Sequence, residues 1–308
     1  MTKTAFLFAG QGAQYLGMAR DLYAQFDVVR ATYDEASQVL GYDLRYLIDN
    51  EEEKLNQTRY TQPAILTTSV AIYRLLLEKR MQADMVAGLS LGEYSAMVAA
   101  GALDFKTAVA LVAKRGAFME EAAPAGSGKM VAVLNADVAT IEAACQAACQ
   151  LGIVSPANYN TPSQIVIGGE VEAVDKAVEL LKEAGVKRLI PLNVSGPFHT
   201  ALLKPASDKL VKVLETVEFA DFKLPLVGNI KATVMEQGQI KELLTRQVME
   251  PVRFYDSIAT MQKAGVTNFI EIGPGKVLSG FVKKIDKSAK VAHVEDVRSL
   301  STLLENKE

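Results

Sequence analysis

The sequence predicts an α/β fold: a parallel sheet covered by helices on both faces, interrupted by a smaller inserted unit. Through residues 4–100, short apolar runs alternate with stretches of helical periodicity, the order that builds parallel sheets. Between residues 126 and 192 the order becomes strand, helix, strand, strand, helix, strand, which is the split βαβ unit. The chain has 308 residues, 49% apolar and 22% charged, enough for one large domain or two unequal ones. No segment is biased enough for disorder, collagen or coiled coil.

The elements follow in order. Residues 4–8 form a short apolar run that reads as a buried strand entering the tight loop Gly10-Gln11-Gly12. Helical periodicity covers 15–26, and Pro63 suits the first position of a helix whose apolar stripe runs through 64–77. Met85-Val86-Ala87 is a strand, 88–92 a turn and 93–100 a helix, with another helix over 108–121. Gly126-Ser127-Gly128 is a flexible joint. After it come a strand (130–134), a helix (138–150), a strand (154–158), the hairpin 158–163, a strand (164–168), a helix (171–184) and a strand (188–192). This divides the chain into a large unit, 1–125 with 193–308, and an insert, 126–192. The large unit resumes at Asn193 and contains a strand at 269–272 closed by Gly273-Pro274-Gly275; after Val297 a short helix or frayed end is expected.

Composition removes several function classes. The balance of 33 basic against 36 acidic residues gives a net charge of −3, so nothing attracts nucleic acid or an anionic membrane globally. No apolar run reaches the ~18 residues of a membrane span, and the apolar stretch before Gly10 is too short for a secretory leader. The cytoplasm is the expected compartment. Cys145 and Cys149, four apart among alanines, read as core packing on one helix face; neither His lies near them, so no metal site is expected.

Gly88-Leu89-Ser90-Leu91-Gly92 matches G-x-S-x-G between a strand and a helix, the context of a nucleophile elbow. The glycines leave room for a sharp turn that presents Ser90 Oγ at the positive end of the next helix. A plain Gly/Ser turn has the same composition. A serine needs a base, and the chain has two histidines. His199 sits in a loop shaped by Gly196 and Pro197, whereas His293 alternates with apolar residues as a strand side chain does. His199 is the better candidate and His293 reads as structural. Arg115 falls in the apolar stripe of its helix, with Ala108, Leu111, Val112, Phe118 and Met119, while Lys114 points away. A guanidinium there needs an anion: a structural ion pair, or a substrate carboxylate held bidentately. The Gly-rich loops lack the remaining glycines of dinucleotide and P-loop motifs, so no nucleotide cofactor is expected.

Taken together, these residues resemble the malonyl-CoA:acyl carrier protein transacylases of type II fatty acid synthesis. The resemblance rests on Phe8-Ala9-Gly10-Gln11-Gly12-Ala13-Gln14, Thr61-Gln62-Pro63-Ala64, residues 88–93, Arg115, Asn158-Tyr159-Asn160, residues 196–200, Gln247 through Pro251-Val252-Arg253-Phe254, and Glu271-Ile272-Gly273-Pro274-Gly275. It implies a hydrolase-like α/β core with a ferredoxin-like insertion. It makes Ser90 the nucleophile, His199 its base and Arg115 the ligand of the malonyl carboxylate. The backbone N–H groups of Gln11 and Leu91 become the oxyanion hole, and Gln247 holds the histidine through its main-chain carbonyl. Malonyl-CoA is then a substrate rather than a cofactor, no metal or other cofactor is implied, acyl carrier protein is the partner, and a monomer is expected. Phe198 is placed to wall the acyl pocket, and Lys187, Arg188, Lys283, Lys284, Lys287 and Lys290 are candidate contacts for the acidic carrier. Leu89 stands where the family often has His, and Ala9 where it often has Pro; neither performs acyl transfer. The alternative on the same elbow is a serine thioesterase or carboxylesterase, which usually draws on an HGGG-type loop absent from this chain.

Overall fold

The computed structural model describes residues 3–124, 126–192 and 196–305. Its strands are β1 (Lys3–Phe8), β2 (Met85–Gly88), β3 (Lys129–Leu134), β4 (Val154–Thr161), β5 (Gln164–Gly169), β6 (Arg188–Pro191), β7 (Val266–Ile272) and β8 (Lys290–Val294). They form two sheets. One is parallel throughout, in the order β2-β1-β7-β8, and the other is antiparallel, in the order β4-β5-β3-β6.

Both faces of the parallel sheet are buried, which is why β1 is apolar without alternation. Ala5 and Leu7 pack with Phe254, Ile258 and Phe281 on one face, while Phe6 and Phe8 join Leu66, Val70 and Tyr94 on the other. The antiparallel sheet is two-faced in another sense. Val131 and Val133 pack under the helices Val138–Ala148 and Val171–Glu183, whereas Met130, Ala132 and Val166 belong to the core of the larger sheet. The smaller sheet is thereby pressed against the larger one beside the Ser90 turn.

Several boundaries differ from the sequence reading, each for a local reason. The helix expected over 15–26 is confined to Arg20–Gln25, because Gly17 and Ala19 take φ of 75° and 55° and break the turn before it. Pro63 does not start its helix. The helix runs Thr58–Glu78 with Pro63 inside it, and Thr61 Oγ1 bonds the carbonyls of Leu55 and Gln57 where the helix begins. β4 continues past Asn158 to Thr161 through two register shifts, leaving Pro162-Ser163 as the hairpin turn. The tail after the last strand is helical over Val297–Glu305. Cys145 is buried as expected, but Cys149 begins a 3₁₀ turn past the helix end and is exposed. The expected unit boundaries at residues 125 and 193 lie outside the described residues. No described helix is long and apolar enough to cross a membrane.

The turn from β2 into the helix Gly92–Ala99 passes tightly over β1. A Cβ on Gly88 would meet the Gly92 backbone, and one on Gly92 would meet the Phe8 carbonyl oxygen. Only hydrogen fits at either place. Gly92→Ala should therefore lower unfolding stability in urea by ~3 kcal/mol; a loss below ~0.5 kcal/mol, the scale of an unstrained surface change, would contradict this packing.

Candidate active site

Ser90 occupies the tip of that turn at φ 55°, a left-handed conformation that non-glycine residues adopt only when their surroundings hold them there. Three hydrogen bonds do so. The Ser90 N–H donates to Asn229 Oδ1 at 2.7 Å, and the Ser90 carbonyl accepts from Glu93 N–H at 3.0 Å and from Gln247 Nε2 at 2.9 Å. The side chain is thus aimed by its backbone.

His199 faces it from the loop after the antiparallel sheet, also left-handed at φ 59°, with its own N–H on the Val248 carbonyl at 3.1 Å. Nε2 lies 2.8 Å from Ser90 Oγ, and Nδ1 lies 2.7 Å from the Gln247 carbonyl oxygen. A carbonyl only accepts, so Nδ1 carries the proton and Nε2 is left as the acceptor for Ser90. Burial, and then the charge of Arg115, depress the imidazole pKa to about 4. A ring held that low is neutral at pH 7. His293 sits apart on β8, 3.6 Å from Glu295, and takes no part in this pair.

Arg115 comes from the helix Phe105–Ala122 and is 1% exposed. Its buried helix neighbours Ala108, Leu111, Val112 and Met119 are the stripe read from the sequence, and Lys114 is exposed. Nη1 donates to Gln62 Oε1 at 2.9 Å, and Nη2 donates to Gln247 Oε1 at 2.9 Å and to Ser90 Oγ at 3.1 Å. The guanidinium carbon lies 5.2 Å from the centre of the Tyr94 ring. Every one of these hydrogen-bond partners is uncharged, Nε has no partner, and no ion pair to Arg115 occurs among the described residues. Burial lowers its pKa, against the opposing pull of Tyr94 and Glu93. A cation so placed has no anion in direct contact.

A cavity of about 290 Å³ opens over Ser90, lined by Gln11, His199, Phe198, Met119 and Met130 among others. Arg115, Gln247 and the fully buried Leu91 are not part of its lining. Among the described residues, nothing accepts the N–H of Gln11 or of Leu91, while the N–H of Ser90 is taken by Asn229. The Gln11 side chain is held by Thr58 Oγ1 at 3.1 Å and by Gln62 Nε2 at 3.3 Å. The structure therefore brings Ser90, His199, Arg115, Gln247 and Gln11 into one hydrogen-bonded assembly, with Leu91 next to Ser90 in the chain. Gln62, Glu93 and Asn229 belong to it too, without having been given a role from sequence. Gln62 and Glu93 lie within recognised motifs, but Asn229, in Val227-Gly228-Asn229, carries no local signal.

The acyl transferase domain family matches residues 5–308. The chain is 47% identical over 308 residues to the malonyl CoA-acyl carrier protein transacylase of Bacillus subtilis, covering 99% of this chain and 97% of that one. Against the Escherichia coli (strain K12) protein of the same name the identity is 44%, covering 99% and 100%. Among solved structures, MCAT from Streptococcus pneumoniae superposes with a TM-score of 0.98 at 75% identity, covering 99% and 100%. A malonyl-transacylase in complex with a type II polyketide acyl-carrier protein superposes at 0.96 with 47% identity, covering 99% and 100%.

The depressed His199 pKa fixes a pH dependence. Between about 4 and the ordinary value of 6.5 the folded chain binds fewer protons than the unfolded one. Stability from this group is therefore present above pH 6.5 and lost as pH falls toward 4, by ~3 kcal/mol in full. In urea titrations, the stability of the wild type relative to His199→Asn should fall by that order between pH 7 and pH 4; a pH-independent difference would contradict the assignment.

Proposed function

This chain belongs to the malonyl CoA-acyl carrier protein transacylase family of acyl transferases, and we propose that Ser90 carries the malonyl group from coenzyme A to the carrier's pantetheine thiol, supplying fatty acid synthesis. The observation that carries this reading is the buried Arg115 cation, hydrogen-bonded only to neutral groups, 3.1 Å from the nucleophile. An esterase has no general use for it. A substrate with a free carboxylate two bonds beyond its thioester carbonyl supplies the missing anion.

The reaction runs in two halves. His199 Nε2 takes the Ser90 proton as Oγ attacks the thioester carbonyl, and the oxyanion faces the N–H groups of Gln11 and Leu91. The C–S bond breaks, His199 gives its proton to the departing thiolate, and coenzyme A leaves as the thiol. The malonyl group is now an ester on Ser90, with its carboxylate on Arg115. In the second half the carrier's pantetheine thiol gives its proton to His199 and attacks the ester; the proton then returns to Ser90 Oγ. Through both halves the Gln247 carbonyl holds Nδ1–H, keeping the tautomer and stabilising the transient imidazolium, the part a carboxylate plays in a triad. Phe198 walls the acyl cavity. The order of steps is ping-pong, and the atoms balance without a cofactor.

The architecture behind it is a hydrolase-like core of residues 1–125 and 193–308 with a ferredoxin-like insert of 126–192. The strand order β4-β5-β3-β6 and the two helices on one face of that sheet support this division. The exposed Lys187, Arg188, Lys283, Lys284, Lys287 and Lys290 are the basic groups offered to the acidic carrier. The same reading has the chain act as a cytoplasmic monomer.

Incubation with malonyl-CoA should shift the intact mass by one malonyl group that a pantetheine thiol then removes. Ser90→Ala should abolish the shift, and His199→Ala should slow it by ~10²–10⁴-fold, whereas His293→Ala should leave it unchanged. Release as free malonate, even with the thiol present, would favour the thioesterase instead.

A further inference from the structure

Glu93, three residues after Ser90, is 1% exposed and lies outside the chemistry described above. Its carboxylate takes two donors: Asn229 N–H reaches Oε1 at 2.8 Å, and Gln247 Nε2 reaches Oε2. A carboxylate offers only acceptors, whereas an amide has a donor end and an acceptor end. The Gln247 amide must therefore turn its NH₂ toward Glu93, and this leaves Oε1 toward Arg115 Nη2 at 2.9 Å. The same residue supplies the carbonyl that holds His199 Nδ1. On the other oxygen, Glu93 fixes the backbone of Asn229, whose Oδ1 accepts the Ser90 N–H at 2.7 Å and whose Nδ2 donates to the Gly88 carbonyl at 2.6 Å.

We propose that Glu93 is a positioning residue for acyl transfer: its carboxylate fixes the orientation of the Gln247 amide and of Asn229, and through them the Arg115 guanidinium and the strained Ser90 turn. The opposite amide orientation would set NH₂ against a guanidinium and withdraw one of its acceptors. Burial raises the Glu93 pKa to about 7, against the opposing pull of Asn229, Gln247 and Arg115. The titratable groups facing it are Arg115 and Tyr94. Tyr94 is pushed up to about 12 and Arg115 stays a cation, so near neutrality Glu93 is the member of this set that changes charge.

The inference rests on the malonyl transfer proposed above, and the test separates the two. Ser90 acylation by malonyl-CoA and by acetyl-CoA is followed by intact mass from pH 5.5 to 8.5 in the wild type and in Glu93→Gln. The isosteric amide puts an NH₂ against one of the two donors. Malonyl acylation should fall about tenfold or more, with a smaller loss for acetyl, as expected for one hydrogen bond to a charged group. The wild-type malonyl-to-acetyl ratio should bend near pH 7 and the variant's should not. A variant that melts earlier but keeps the wild-type ratio and profile would make Glu93 merely structural and overturn the proposal. Should Glu93→Gln not fold, Glu93→Asp, which keeps the acceptor, should retain the bend at a reduced rate, and its loss there would overturn it equally. Should the wild type take up neither acyl group, the malonyl reading fails by itself. Phosphonylation of Ser90 by a fluorophosphonate then decides: slowing in Glu93→Gln supports the positioning role, and an unchanged rate overturns it.

Discussion

Removing a guanidinium from water costs several kcal/mol after relaxation, and a protein normally offsets this with a carboxylate. At Arg115 the offset is incomplete. The polar acceptors are Gln62, Gln247 and Ser90, the flat contact is Tyr94, and Nε has no partner at all. The surroundings explain how the fold tolerates it. Two amide oxygens and an aromatic face spread the charge, and Glu93, its pKa raised by burial, lies one residue farther off, behind Gln247. The favourable field that remains unsatisfied is the one a small acyl group with one free carboxylate would feel on reaching Ser90.

The rest of the site is arranged around the same cation. Its charge, added to burial, holds the His199 pKa down, and the Nδ1 partner is a carbonyl rather than a carboxylate. A carboxylate in that position would raise the imidazole pKa and pair with Arg115, removing both properties. The main-chain carbonyl of Gln247 orients the ring with no net charge, and its side chain orients the guanidinium. One residue thus couples the His199 ring to the Arg115 guanidinium. Gly88 and Gly92 bring the Ser90 turn close enough to β1 for Gln11, in the loop after β1, to share the cavity.

Much of this was legible in the sequence because the relevant signals are local. G-x-S-x-G needs a strand before and a helix after, and both are short apolar runs. Arg115 was visible as a polar residue in an apolar stripe. His199 followed from there being two histidines, one of them patterned as strand. The order βαββαβ over residues 126–192 predicted the antiparallel sheet, apart from the extension of β4. What escaped has long-range causes. Asn229 is 139 residues from Ser90 and acts through one side-chain oxygen, which no local pattern records. The early start of the helix around Pro63 depends on hydroxyl bonds from Thr61, and the shortened helix at Arg20 on two left-handed residues, Gly17 and Ala19. Propensity sees neither. Glu93 was in plain view, but its role appears only when Gln247 is brought against it from 154 residues away.

Selection of the acyl group by Arg115 is read most directly from the rate of Ser90 acylation by malonyl-CoA and by acetyl-CoA in the wild type and in Arg115→Ala. A loss of about 100-fold or more is expected for malonyl, the scale of a buried charge-assisted pair, with acetyl acylation changed far less or improved. An equal fractional loss for both donors would contradict it, and would return Arg115 to a scaffold role behind Ser90.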